Sequence, residues 1–246
     1  MELSNVERDF IHHALRSGRR VDGRGLLDRR RVAFKFDRTA ARTTAEVRLG
    51  KTRVVTVTTA EVVPPYPDRP TEGFLMFNVE LSPMASEKFE AGRPSPLAVE
   101  IGRIVERCLR DARAIDTEAL CIVAGEKVWS LRCDVRVVDD GGNIIDAAAL
   151  SAVASLCHFR RADVSVSGDR VTIHSFDDRV PVPLSVHHKP MCITFGVFRD
   201  GETVCVDPTD REELTMDGRV TFALNAHSEL CLVHKLGGTA LSPDEL

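Results

Sequence analysis

Residues 139–150 read DDGGNIIDAAAL and follow KVWSLRCDVRVV, which alternates like a strand. A strand, a two-glycine turn and a helix make a geometry suited to anions. Glycine lets the backbone approach a ligand closely, and the first amides of a helix point at a negative charge with the positive end of the dipole behind them. The side chains oppose that use. A phosphate site calls for a hydroxyl and a cation, whereas the turn supplies Asn143, Ile144 and Ile145 among Asp139, Asp140 and Asp146. At an effective dielectric near 20, each carboxylate beside a phosphate repels it by roughly 1–4 kcal/mol. The motif has the backbone of an anion site and the side chains of something else.

The same residues support two other readings. Asn143 is placed to cap the helix, with Asp146 three residues on as a capping-box partner and Ile144 and Ile145 starting the core stripe. Alternatively Asp139, Asp140 and Asp146 hold a divalent cation, although adjacent strand residues point to opposite faces and work against convergence. His187 and His188 lack further ligands at zinc spacing and are expected to pack or to face a neighbour. Trp129 is expected in the core.

A second candidate lies in the helix expected over 96–114, capped by Ser95 with Pro96 in its first position. Leu97, Ile101, Ile104, Val105, Cys108 and Ala112 form its apolar stripe, and Arg103, Arg107 and Arg110 share the opposite face. Three aligned guanidinium forks suit a phosphate chain, or an exposed face paired with Glu100, Glu106 and Asp111. Charge is unevenly spread. The net charge is −4, but residues 16–35 carry eight Lys or Arg against Asp22 and Asp28, giving +6 there and −10 elsewhere. Such polarity suits a polyanion on one side and protein neighbours on the other.

The elements that position these groups follow from pattern. SNVE opens a capped helix that Gly18 ends. Strand patterns at 32–37, 43–49 and 53–63 follow, the last two joined by LGKT as a hairpin. Residues 64–73 are a proline-rich loop, and FLMFNVELS alternates with Leu75, Phe77, Val79 and Leu81 on one face. After the helix that ends near His158 come hairpins turning at SGD and RDGE, a short acidic helix at 210–216, and a last hairpin. This order predicts an α+β fold of mixed sheets with packed helices. It gives one domain over 1–246: an N-terminal helix and basic segment over 1–35 and two packed halves over 31–160 and 161–240. A chain of 246 residues at 43% hydrophobic content can bury a substantial core. No run of 18 apolar residues occurs, and the start of the chain is charged, so a soluble intracellular protein is expected. Seven widely spaced cysteines without a CxxC fit reduced thiols.

With these pieces in order, the chain resembles the RNase PH-like family. The resemblance is carried by LSNVERDF, RVDGRG, LGKTRV, TEGFLMFNVELSPMA, FEAGRPS, ERCLRDARAIDTEALCIVAGEKVWSLRCDV, DGGNIIDAAALSAVASLCHFRR, DVSVSGD, PLSVHHKP and VDPTDREELTMDGRV, in unbroken order over nearly the whole chain. It implies the ribosomal protein S5 domain 2-like fold and a place in the hetero-oligomeric ring of the eukaryotic RNA exosome. The implied partners are other RNase PH-like ring subunits, cap subunits of the S1 and KH type, single-stranded RNA and hydrolytic nucleases. The implied locations are the nucleus, including the nucleolus, and the cytoplasm; no membrane and no cofactor are implied.

Active members of the family attack a 3′-terminal phosphodiester with inorganic phosphate, held by a GGTR-like turn, while a carboxylate assists the leaving group. Matched on the double glycine, Asn143 stands for the Thr and Ile144 for the phosphate-binding Arg. Matched through Asp207 and Asp217, Arg211 stands where a catalytic Asp belongs and Asp217 survives. The resemblance thus implies a degenerate site at Asn143, Ile144, Arg211 and Asp217, no phosphorolytic activity and no metal. It implies a role in scaffolding the ring and guiding RNA by way of Arg103, Arg107, Arg110 and Arg93. Two alternatives remain: an active phosphate-dependent 3′-to-5′ exoribonuclease, and a subunit that lends arginines to a partner's site.

Overall fold

The computed structural model describes residues 3–39, 42–90, 92, 94–168, 170–199 and 201–240. Arg93, one of the expected RNA contacts, lies outside the described residues. Helix α1 (Asn5–Arg16) starts as the sequence predicts: Glu7 N donates to Ser4 Oγ at 3.2 Å, and Ser4 N donates back to the Glu7 carboxylate at 3.1 Å. Its buried Ile11 and Leu15 pack with Phe198 and Cys205, so the first helix of the chain rests on the last sheet.

The first sheet is built from β1 (Val32–Arg38), β2 (Arg42–Leu49), β3 (Thr52–Val63), β4 (Phe74–Leu81), β5 (Cys121–Val123) and β6 (Lys127–Asp139). The strand order is β1-β2-β3-β6-β4, with β5 beside β6. β2 and β3 form the expected hairpin, whereas β4 runs parallel to β6. A parallel neighbour needs a crossover, and α2 (Pro96–Glu106) supplies it. The sequence pattern predicts this helix to 114. Instead, residues 107–111 widen into a π turn, in which Ala112 N donates to Arg107 O and Ala114 N to Leu109 O, each at 3.0 Å. Arg113, at φ 53°, stops further helical winding.

After α3 (Ile144–His158) come the short strand β7 (Arg160–Arg161), the hairpin β8 (Val164–Ser167) and β9 (Arg170–Ile173), and β10 (Val182–Pro183), which pairs with β7. The second sheet holds β11 (Met191–Phe198), β12 (Thr203–Val206), β13 (Gly218–Leu224) and β14 (Leu230–Lys235) in the order β12-β11-β13-β14, all antiparallel. The one-turn α4 (Asp210–Glu213) joins β12 to β13.

α3 packs against β2, β3 and β6 on one side and β11 on the other. Its sequence is accordingly apolar or small on every face. Ala147, Ala148 and Ala152 are fully buried, so the helix axis lies close to the sheet. Hydroxyls fill the remaining polar positions. Thr56 Oγ1 lies 2.8 Å from Ser151 Oγ, Thr58 Oγ1 lies 2.7 Å from Ser155 Oγ, and Ser151 Oγ donates to Ala45 O at 3.0 Å. Around this layer Ile101, Ile104, Leu131 and Leu156 are fully buried or nearly so, each stabilising the fold by roughly 1.5–3 kcal/mol. Among the described residues no helix is long and apolar enough to cross a membrane. Cys108, Cys133, Cys192 and Cys205 are buried, Cys121, Cys157 and Cys231 half-buried, and all seven are free thiols.

Candidate functional site

The double glycine joins β6 to α3, as the sequence predicts, but its glycines serve the chain's own packing. Gly142 has φ +86°, and a Cβ there would lie 2.3 Å from Asp210 N and 2.4 Å from Thr209 C. A Cβ on Gly141 would lie 2.8 Å from Lys51 Cβ. The turn is thus pressed between the β2–β3 hairpin loop and the start of α4. Its carbonyls are bound as well: Arg30 donates to Gly141 O at 2.7 Å and Gly142 O at 3.0 Å, and Thr52 Oγ1 donates to Gly142 O at 2.5 Å.

The anion position at the start of α3 is occupied by the protein itself. Asn143 N donates to Glu213 Oε1 at 2.8 Å, so a carboxylate from α4, 70 residues away, sits on the helix N-terminus. Crowding there pushes the Glu213 carboxyl up to about 7, through burial first and the nearby Asp140 charge second, against the opposing Asn143 hydrogen bond. Ile144 is 4% exposed and belongs to the core.

Asn143 occupies the N-cap position, but its side chain makes no cap. Its backbone is left-handed, at φ 54°. Its Nδ2 donates to Asp146 Oδ2 and to Asp207 Oδ1, both at 2.8 Å. The capping-box reading of Asn143 and Asp146 is therefore corrected: the amide is spent bridging two buried carboxylates. Asp146 also accepts from Thr194 Oγ1 at 2.7 Å and Thr194 N at 3.1 Å. Burial pushes it up to about 6 although these bonds pull it down. Asp207 goes the other way. Burial alone would raise it, but Arg30 donates through its backbone N at 2.9 Å, Nε at 2.8 Å and Nη2 at 2.7 Å, and the carboxyl is held at about 2. Arg24 Nη1 adds a further bond to Asp207 at 3.0 Å.

These pairs revise the reading of the basic segment. Arg20 is buried against Glu212 and donates to Val206 O at 2.6 Å and Asp207 O at 2.8 Å. Arg20, Arg24 and Arg30 thus face inward, onto the strand β12 and α4, rather than outward onto a polyanion. No local pattern announced Asp207, Glu212 or Glu213 as their counterparts or as parts of the turn, because each contact spans more than 60 residues.

Arg211 and Asp217 are both exposed. Arg211 lies 3.9 Å from Glu7 and lines a groove of about 400 Å³ with Leu3, Glu7, Lys88, Asp140 and Leu214. Asn143 and Ile144 are buried outside that lining, so the four residues of the degenerate site do not share one open cavity. Asp139 is exposed, Asp140 lines the groove and Asp146 is buried on Thr194, so these three carboxylates do not converge. Among the described residues no group of three or more His, Cys, Asp or Glu is placed to hold a metal ion. Trp129 is in the core, His187 is exposed and His188 half-buried. Arg103, Arg107 and Arg110 are all exposed on one side of α2 and its π turn. Arg110 pairs with Glu106 at 2.5 Å and Asp111 at 3.4 Å, while Arg103 and Arg107 have no acidic partner among the described residues.

Residues 28–162 match the first domain of the 3′ exoribonuclease family and residues 188–246 its second domain, and the chain belongs to this RNase PH family. The bovine and human proteins described as exosome complex component RRP45 are each 48% identical to it over 244 residues. That match covers 99% of this chain and 55% of theirs, so the chain spans about half the length of these relatives. The Schizosaccharomyces pombe rrp45 component is 40% identical over 246 residues, covering 100% of this chain and 84% of its own. Among solved structures, a chain of the Archaeoglobus fulgidus exosome with RNA bound to the active site superposes with a TM-score of 0.85 at 33% identity, covering 98% of this chain and 91% of that one. A chain of an archaeal exosome core gives 0.79 at 30%, with 98% and 89% covered.

Proposed function

We propose that the chain is a ring subunit of an RNA exosome that does not itself perform phosphorolysis and that contributes scaffold and RNA guidance. Membership in the RNase PH family and the names of its relatives support the assembly. The observation that carries the loss of chemistry is the occupied helix N-terminus: Glu213 sits on Asn143 N, and Ile144 is sealed in the core where a phosphate clamp needs a cation. Losing such a clamp removes several kcal/mol of transition-state stabilisation. On this reading its partners are RNase PH-like ring neighbours, S1/KH-type caps, single-stranded RNA and hydrolytic nucleases, in the nucleus, nucleolus and cytoplasm.

The test is nucleoside diphosphate release from a 3′-labelled oligoadenylate by the purified, folded chain with excess phosphate and Mg²⁺. No release is expected. Release above that of an Asp217→Ala control overturns the reading. In the assembled ring, reversing Arg107 and Arg110 to Glu should weaken protection of threaded RNA; unchanged protection across several salt concentrations removes both from the RNA path.

A second reading rests on the exposed guanidinium groups of Arg103 and Arg107, which have no acidic partner among the described residues. They would serve a phosphorolytic site centred on a neighbour. Paired with an active subunit, Arg103→Ala or Arg107→Ala should then lower phosphorolysis by about ten-fold or more.

A further inference from the structure

β1 is the outermost strand of the six-stranded sheet, and among the described residues no strand pairs with its free edge. Every residue after Val32 in it is exposed. Its register places Val32, Phe34 and Phe36 opposite Leu49, Val47 and Ala45, which are fully buried. These three therefore lie on the α3 side of the sheet, in the same layer as the core. Further in, α3 seals that layer; at β1 it runs out into solvent. Phe34 is 47% and Phe36 45% exposed, their rings parallel within 3° with centroids 6.0 Å apart. The row continues to His158 at the end of α3, 4.9 Å from Phe36.

The flank of this row is positive. Arg38 ends β1 and Arg160 follows α3, and neither has a carboxylate partner among the described residues; Arg160 donates to the carbonyls of Cys157 and Phe159. Burial first, then these two guanidinium groups, push the His158 imidazole downward, which marks the area as short of negative charge. A long exposed edge with two phenylalanines is a liability in a free protein unless something covers it.

We propose that β1 is the docking edge for a second protein chain, which adds a β-strand to the sheet, lays alternate apolar side chains over Phe34 and Phe36, and sets a carboxylate beside Arg38 and Arg160. The two-residue spacing of the phenylalanines matches the period of a paired strand. A strand satisfies the unpaired main-chain groups and closes the open layer together, whereas stacked nucleotide bases would cover the rings and leave the backbone edge unpaired. The proposal rests on the reading of the chain as an assembly subunit and names the edge at which a neighbour joins it.

The test is amide hydrogen exchange on the full chain, alone and co-expressed with the RNase PH-like subunits of its own organism. Exchange over residues 32–38 should slow at least ten-fold in the assembly. The double variant Phe34→Ser with Phe36→Ser, at exposed positions, should keep its unfolding midpoint yet weaken co-assembly at least ten-fold; Arg38→Glu with Arg160→Glu should do so in a salt-dependent way. Assembly with unchanged exchange at 32–38 overturns this docking edge and leaves the ring reading intact. Failure of the wild-type chain to associate with any of these subunits overturns both. Slowing of 32–38 by oligoadenylate, or within a longer chain that continues past Leu246, in place of slowing by a subunit also overturns it.

Discussion

Two sets of arginines in this protein have opposite fates. Arg20, Arg24 and Arg30 come from the most basic stretch of the sequence, and all three are turned inward onto Asp207 and Glu212. Arg103 and Arg107 come from a helix of mixed charge and stand in solvent without a carboxylate partner among the described residues. The basic stretch is therefore divided: these three guanidinium groups are spent inside the fold, while Arg16, Arg19, Arg31 and Lys35 stay exposed. A guanidinium that is desolvated and multiply bonded to a buried carboxylate is already neutralised, while an isolated pair of exposed ones keeps its full reach.

The widest test of this contrast is to remove one arginine from each set. Arg30→Ala leaves Asp207 buried with only Arg24 and Asn143 to hold it, and should cost about 3 kcal/mol in denaturant unfolding. Arg103→Ala should stay within about 0.5 kcal/mol of wild type. A loss below about 1 kcal/mol for Arg30→Ala would mean that the inward set is not structural.

Acid titration probes the same network. Asp207 is held at about 2, below its unfolded value near 4. The stability it supplies is complete above pH 4 and is lost as pH falls toward 2, about 2–3 kcal/mol in all. Asp146 is pushed up to about 6. The folded state then holds the extra proton between pH 4 and 6, so stability declines as pH rises through that window, by a similar amount. Glu213, at about 7, extends the decline. Urea midpoints should be nearly equal at pH 3 and 4.5, where the gain at Asp207 offsets the first losses at Asp146 and Glu213, and clearly lower at 7.5; a steady rise to 7.5 would contradict the raised carboxyls of Asp146 and Glu213.

The remaining test is Glu213→Gln, which keeps an acceptor for Asn143 N but removes the ionisation. The fall between pH 4.5 and 7.5 should become shallower, by about 2–3 kcal/mol. An unchanged slope would place the titrating group elsewhere.

Local grammar was readable in advance. The α1 capping box, the β2–β3 hairpin and the alternation of β4 all depend on residues within a few positions of one another, and each forms as its pattern predicts. The turn at Gly141 and Gly142 was also legible, together with the absence of a cation in it. What fills the turn was not: Glu213 and Arg30 reach it from 70 and more than 100 positions away, and nothing in DDGGNII distinguishes a side chain that caps from one that bridges two distant carboxylates. The π turn after Glu106 escaped for a related reason. RCLRD carries ordinary helix formers, so no local propensity marks the widening, in which Cys108 and Leu109 are buried.

The hydroxyl pairs between β3 and α3 have a mechanical consequence. A helix faced with alanines presents a nearly smooth surface, and such a surface permits a slide of one turn, about 5.4 Å, with little change in apolar contact. Thr56 with Ser151 and Thr58 with Ser155 act as detents against that slide. Moving the helix out of step strands up to four buried hydroxyls at roughly 1–3 kcal/mol each. The helix is thereby indexed to a single notch along the sheet, and the turn at its start is held against Asp207 and Glu213 by a lock two turns further down.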